Sequence, residues 1–165
     1  MAIFGNRPDR SLVQELEAHL GRKVGVIAHG VGPDSSLLAT RELLALRSLG
    51  QWRIFGWEEI AHGSWRAQES TFAWTTTAGD ELTVHLDDVG SLPELFKERV
   101  QASTAVTLSH DLTRGRVQII GRRKLDGSDD LTWYAVAGGG ADLEDEAVAA
   151  FVVAETDRLK AEYGA

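Results

Sequence analysis

The sequence predicts an α+β fold: a curved antiparallel sheet or half-barrel, with a helix at the N-terminal end and a long helix at the C-terminal end. Two observations carry this expectation. Between Lys23 and Ala137 most apolar residues recur at every second position, in short runs separated by turn clusters, which is the spacing of half-buried strands. Three segments instead repeat at three and four residues with helix-type ends, and they do not alternate with strands as a parallel sheet requires.

The elements follow in order. Ser11–Leu20 reads as a helix: Ser11 and Gln14 make a capping-box pattern, Leu12, Leu16 and Leu20 form one apolar stripe, and Gly21 suits the stop. Lys23–His29 places Val24, Val26 and Ala28 on one strand face, and Gly30–Asp34 is a turn cluster. Ser36–Arg47 has a Leu and Ala content that permits a helix, but turn signals on both sides favour a strand pair, with Thr40 and Arg41 in a strand. Gln51–Ile60 and Gly63–Ala67 are tryptophan-rich strands, and Ser70–Thr77 is another. Glu81–Leu86 alternates Leu82, Val84 and Leu86 with polar partners.

Ser91–Gln101 reads as a helix with Ser91 as its cap, Pro93 in its first turn, and Leu92, Leu95, Phe96 and Val100 on its buried face. Ala105–His110, Arg116–Arg122 and Leu131–Ala137 are strands, and Gly138–Gly140 breaks the sheet. Leu143–Tyr163 is the long terminal helix. Acids crowd its start and Arg158 and Lys160 its end, while Val148, Phe151, Val152, Leu159 and Tyr163 supply an apolar face. The expected organisation is an N-terminal arm and helix over 1–22 and a single domain over 23–165.

Composition narrows the function. A chain of 165 residues with 43% hydrophobic content can bury a core without a metal or disulfide staple. There is no cysteine, which removes disulfides, thiolate catalysis and cysteine-type zinc sites and fits a reducing compartment. No signal-peptide or membrane-span pattern stands out, so a soluble cytoplasmic protein is expected, without membrane association. The net charge of −8 argues against generic binding to nucleic acid. The charge is uneven: 114–125 carries five basic residues and no acid, whereas 51–90 carries seven acids against two arginines.

Two segments resemble a known family. In bacterial pleckstrin-homology-like domains, strand two typically reads small-apolar, Thr, Arg, apolar, and is followed by a strand ending in an apolar-acidic-x-Ile step. Ala39-Thr-Arg-Glu-Leu-Leu44 and Ile54-Phe-Gly-Trp-Glu-Glu-Ile60 look like that pair. The segment Leu92–Ser103 also resembles one in small uncharacterised actinobacterial proteins. The resemblance implies a seven-strand half-barrel closed by a C-terminal helix, and a binding or scaffold module with no catalytic residues. Phosphoinositide-binding members carry Lys and Arg around the first strand pair. Here His29–Ser35 has neither, so headgroup binding is not expected there.

The chemistry-bearing residues form no catalytic signature. His85 and Asp87 share strand parity and, with His110, would be the ligands of a metal-dependent enzyme, but isolated histidines are more often surface residues. Ser109, His110 and Asp111 are adjacent on a strand and so cannot all point one way. Gly30-x-Gly32 and Gly25–Gly30 lack the remainder of any phosphate motif, and Gly138–Gly140 precedes a helix start whose acids repel anions. No metal, cofactor or catalytic residue is therefore assigned.

The basic strip is the most prominent polar feature. Arg114, Arg116 and Arg122 share parity, Arg123 and Lys124 flank the turn, and together they could bind an anion or nucleic acid. A charged strand edge is the plainer reading, since no aromatics interleave. Of five tryptophans, Trp52 and Trp57 differ by an odd number, so one is expected inside and one outside. An exposed Trp52, Trp57 or Trp65 would anchor a protein partner or self-association as a homodimer. The expected function is a non-catalytic binding or scaffold module acting through protein contacts.

Overall fold

The computed structural model describes residues 7–164, which form three helices and three separate antiparallel sheets, none closed into a barrel. Residues 1–6 of the expected N-terminal arm lie outside the described residues. The described chain divides into two compact units between Ala102 and Ser103, a boundary for which the sequence gives no linker signal. No helix among the described residues is long and apolar enough to cross a membrane.

The first unit contains α1 (Arg10–Leu20), seven strands and α2 (Leu92–Ser103) except its last residue, Ser103, which belongs to the second unit. Strands β1 (Ala28–Val31), β2 (Ser35–Ala39), β3 (Leu43–Ser48) and β4 (Gln51–Gly56) pair in sequence order. Strands β5 (Ile60–Arg66), β6 (Thr71–Thr76) and β7 (Glu81–His85) make a second meander, and a bridge between Val31 and Asp88 ties β1 to the segment after β7.

Helix α1 begins one residue earlier than its sequence suggests. Its cap is Asp9, whose carboxylate accepts from the Ser11 amide at 2.9 Å and the Ser11 hydroxyl at 2.8 Å. Ser11 is thus a donor to the cap and not the cap itself, a role for which a carboxylate serves equally well. The expected stop holds: Gly21 sits at φ 72°, in left-handed space that glycine enters without steric cost. Leu16 packs against Leu38, Leu43 and Ala45, with Leu12 and Leu20 beside it.

The first strand is shorter and later than expected. Val24 donates its amide to the Glu17 carboxylate at 3.0 Å, so this stretch bonds to a side chain instead of a strand neighbour, and β1 runs through Gly30 and Val31. Thr40 and Arg41 correct a second expectation, because they occupy the turn between β2 and β3 and not a strand. The Thr40 hydroxyl accepts from the amides of Glu42 at 3.2 Å and Leu43 at 3.1 Å, a side-chain bond that competes with strand pairing. The expected strand Gln51–Ile60 is likewise broken by a 3-10 turn at Trp57–Glu59.

The second unit is a three-stranded meander in which β9 (Arg116–Arg123) lies between β8 (Thr104–Asp111) and β10 (Leu131–Gly138), followed by α3 (Glu146–Tyr163). Val152 and Leu159 of α3 cover Val106, Leu108, Ile119 and Trp133. The helix starts three residues later than Leu143, where Asp145 caps the amides of Ala147 and Val148. Tyr163 is 51% exposed and does not belong to the apolar face.

Glu15 joins α1 to the β3–β4 hairpin. Its carboxylate accepts from the Arg47 guanidinium, by 3.1 Å at one oxygen, and from the Trp52 indole N–H at 2.9 Å. Hydrogen bonding to Arg47 chiefly holds the Glu15 carboxyl below the ordinary carboxylate range, against a smaller opposing effect of desolvation. A depressed folded-state value means that the ionised group stabilises the fold above its unfolded value, and that this contribution is lost as pH falls through the folded one. In acid titrations followed by circular dichroism, Glu15→Gln is therefore expected to be less stable than wild type at neutral pH, with the gap closing in acid. A pH-independent gap would contradict this account.

Candidate functional site

A recess lies where α2 crosses the face of the β5–β6–β7 sheet. Gly63 makes the crossing possible, since a Cβ at that position would stand 2.5 Å from Phe96 Cε1. Glycine inside a strand permits this kind of close approach. Phe96 packs edge-on to Phe72 at 5.0 Å between ring centroids and to Trp57 at 5.6 Å, while Trp65 tilts against Phe72 at 6.2 Å. These aromatic contacts fix the floor of the recess.

The recess has a volume of about 320 Å³ and opens to solvent. One wall is 61–65 of β5 with Phe72; the other is Pro93, Phe96, Lys97, Val100 and Gln101 of α2. No acid lines it, and its polar side chains are His62, Ser64, Lys97 and Gln101. Strand β5 is the edge of its sheet, with a register shift between Ile60 and His62. The site therefore combines an apolar floor, polar side chains that include one lysine, and a sheet edge. The size is at the low end of the range for ligand clefts.

The tryptophans expected at an interface are distributed differently. Trp57 is fully buried and donates its indole N–H to the Thr40 carbonyl at 3.0 Å. Glu58 beside it is buried as well, so this step presents no exposed anchor. The odd spacing of Trp52 and Trp57 does not apply, because β4 ends at Gly56 and Trp57 opens the 3-10 turn instead of continuing the strand. Trp52 is half-buried and bonded to Glu15 beneath α1. Only Trp65, half-buried, lines the recess.

The basic strip is not one patch. Arg122 is 1% exposed and donates through Nε to Ser103 Oγ at 2.9 Å and through Nη1 to the Tyr134 hydroxyl at 3.3 Å. Arg116 shares its parity but is exposed and bonded to Asp111 at 2.7 Å, which holds the Asp111 carboxyl below its ordinary range. The stem of Arg114 lies against Gly140, and Lys124 faces Asp126 closely enough to help lower that carboxyl. Arg123 is exposed.

The histidine readings also disperse. His85 bonds to Asp87 at 3.0 Å at an exposed strand end. His110 stacks on Phe151 of α3 at 4.2 Å, while neighbouring Ser109 accepts from Gln118 and Asp111 from Arg116. Among the described residues no group of three His, Asp or Glu side chains is placed to hold a metal ion.

Scanned against family models, curated proteins and solved structures, the chain matches none of them. The recess is not legible in the sequence. Its signals were Gly63 inside a strand pattern and Phe96 on a helix face, but nothing in the spacing says that the two touch.

Gly63→Ala would drive a methyl group into the Phe96 ring. It is expected to cost roughly 1–3 kcal/mol in urea unfolding, as overpacked sites do, and to shift the amide resonances of 61–65 and 93–101. An unchanged midpoint and spectrum would show that Phe96 yields freely.

Proposed function

We propose that this chain is a non-catalytic binding module acting through protein contacts, and that the recess between β5 and α2 receives an extended peptide segment. One observation carries the reading: an apolar recess lies beside the edge strand of a sheet, bounded by a helix. A groove between a strand and a helix takes alternate side chains of an extended segment, while the register shift and Arg66 keep β5 itself from pairing along its full length with an added strand. Aromatic anchors such as Trp65 and Phe72 supply much of the energy of such contacts.

We further propose that the first unit is a pleckstrin-homology-like half-barrel. The support is its order: four antiparallel strands, three more, and then a helix across the second meander. In this reading α2, not the C-terminal helix, takes the closing position. Nucleic-acid binding through 114–124 has less support, because Arg122 is enclosed and Arg116 is paired with Asp111.

The test is a library of acetylated octapeptides with alternating apolar and polar residues, titrated into the labelled full chain. Bound members are expected to shift amide resonances of 61–65 and 93–101, and Val100→Glu is expected to weaken them by about tenfold or more, the scale of one lost apolar contact. Failure of every peptide to bind, or shifts confined elsewhere, would remove the reading.

A further inference from the structure

We propose that the chain forms a symmetric homodimer by pairing of β10 with β10 of a second copy, extending the second unit's three-stranded sheet into one of six. This interface is separate from the β5–α2 recess and does not depend on it. The argument begins with how sheet edges are protected. An unpaired edge is a template for another strand, and proteins blunt it by shortness, charge, proline or bulges.

Five of the six edge strands among the described residues carry such a device. Strand β1 has only four residues and is tied at Val31 to Asp88. Strand β4 contains Arg53, and β5 contains Arg66 and a register shift. Strand β7 has five residues, with Glu81 and His85 at its ends. Strand β8 has a shift between Thr104 and Val106 and ends in His110 and Asp111.

Strand β10 has none. It reads Leu131-Thr-Trp-Tyr-Ala-Val-Ala-Gly138, eight residues without a charge or a proline, pairing with β9 in unbroken register. Alternate residues of such an edge point their amides and carbonyls away from β9. Val136 is 44% exposed on it.

Charge at the two ends of β10 selects a second copy as the occupant. Asp129 and Asp130 precede the strand, and Arg114 lies against Gly140 just beyond its other end, where a Cβ would stand 2.9 Å from Arg114 Cγ. An antiparallel partner related by a two-fold axis through Ala135 sets Tyr134 opposite Val136 and Trp133 opposite Ala137. It also brings Asp130 of each copy to the Gly140 end of the other, beside Arg114. Opposite charges therefore meet at both ends and no like charges meet along the strand, which is the self-complementarity an isologous interface requires.

Sedimentation of the full chain across a wide concentration range tests this. The expected species has twice the 18.0 kDa chain mass. Val136→Lys places like charges near the axis and is expected to raise the dissociation constant by about tenfold or more. Asp130→Arg and Arg114→Asp are each expected to weaken the dimer, and the double exchange to restore it, which a merely misfolded variant could not do. Circular dichroism checks the fold of each variant. A wild-type chain that stays monomeric, or a dimer indifferent to Val136→Lys and Asp130→Arg, would overturn the proposal.

Discussion

Trp57 joins three parts of the first unit. Its indole N–H donates to the Thr40 carbonyl, so the turn between β2 and β3 cannot move away from it. Its ring meets Phe96 of α2 edge-on, and Phe96 meets Phe72 of β6. Phe72 continues to Trp74, which meets Phe55 of β4 at 5.6 Å. The four-stranded sheet, the three-stranded sheet and the helix are thus connected through one aromatic chain that starts from a fully buried indole. A buried N–H without an acceptor is costly, so the Thr40 turn and the 3-10 turn at Trp57–Glu59 constrain each other.

The recess is a consequence of that chain. The Phe96 ring can approach β5 this closely only because position 63 lacks a side chain, and the recess continues beside it to Trp65 and Val100. The second unit is organised on different terms. Its core is a layer of apolar contacts under α3, and its buried guanidinium, Arg122, is held by the equally buried Ser103 and by Tyr134. A buried guanidinium requires such partners, and they draw it away from any surface role.

Much of the fold was legible in the residues. Period-two patterns placed β6, β7, β9 and β10 to within a residue or two, and the three helices were recognised, with Gly21 as a correct stop. Boundaries failed where a side chain took over a backbone bond: Glu17 at Val24, Thr40 at Glu42 and Leu43, and Asp9 and Asp145 at the helix caps. Of the candidate site, Trp65 was singled out in advance, whereas Gly63, Phe96 and Lys97 were not, because their significance lies in contact across elements. Strand parity places one of Trp52 and Trp57 outside without saying which; Trp57 begins a 3-10 turn and is fully buried, and Trp52 is half-buried.

The α+β class, the antiparallel pairing and the uneven charge can be read from the residues alone. These depend on local periodicity, turn chemistry and the residues themselves. Tertiary structure decided which polar groups are consumed inside the fold and which remain available. Arg122 and Arg116 share a strand face, yet one is buried and the other is solvent-exposed against Asp111, because covering a face depends on elements distant in the chain. The same reason separates Trp57 from Trp65, and it leaves β10 as the unguarded edge.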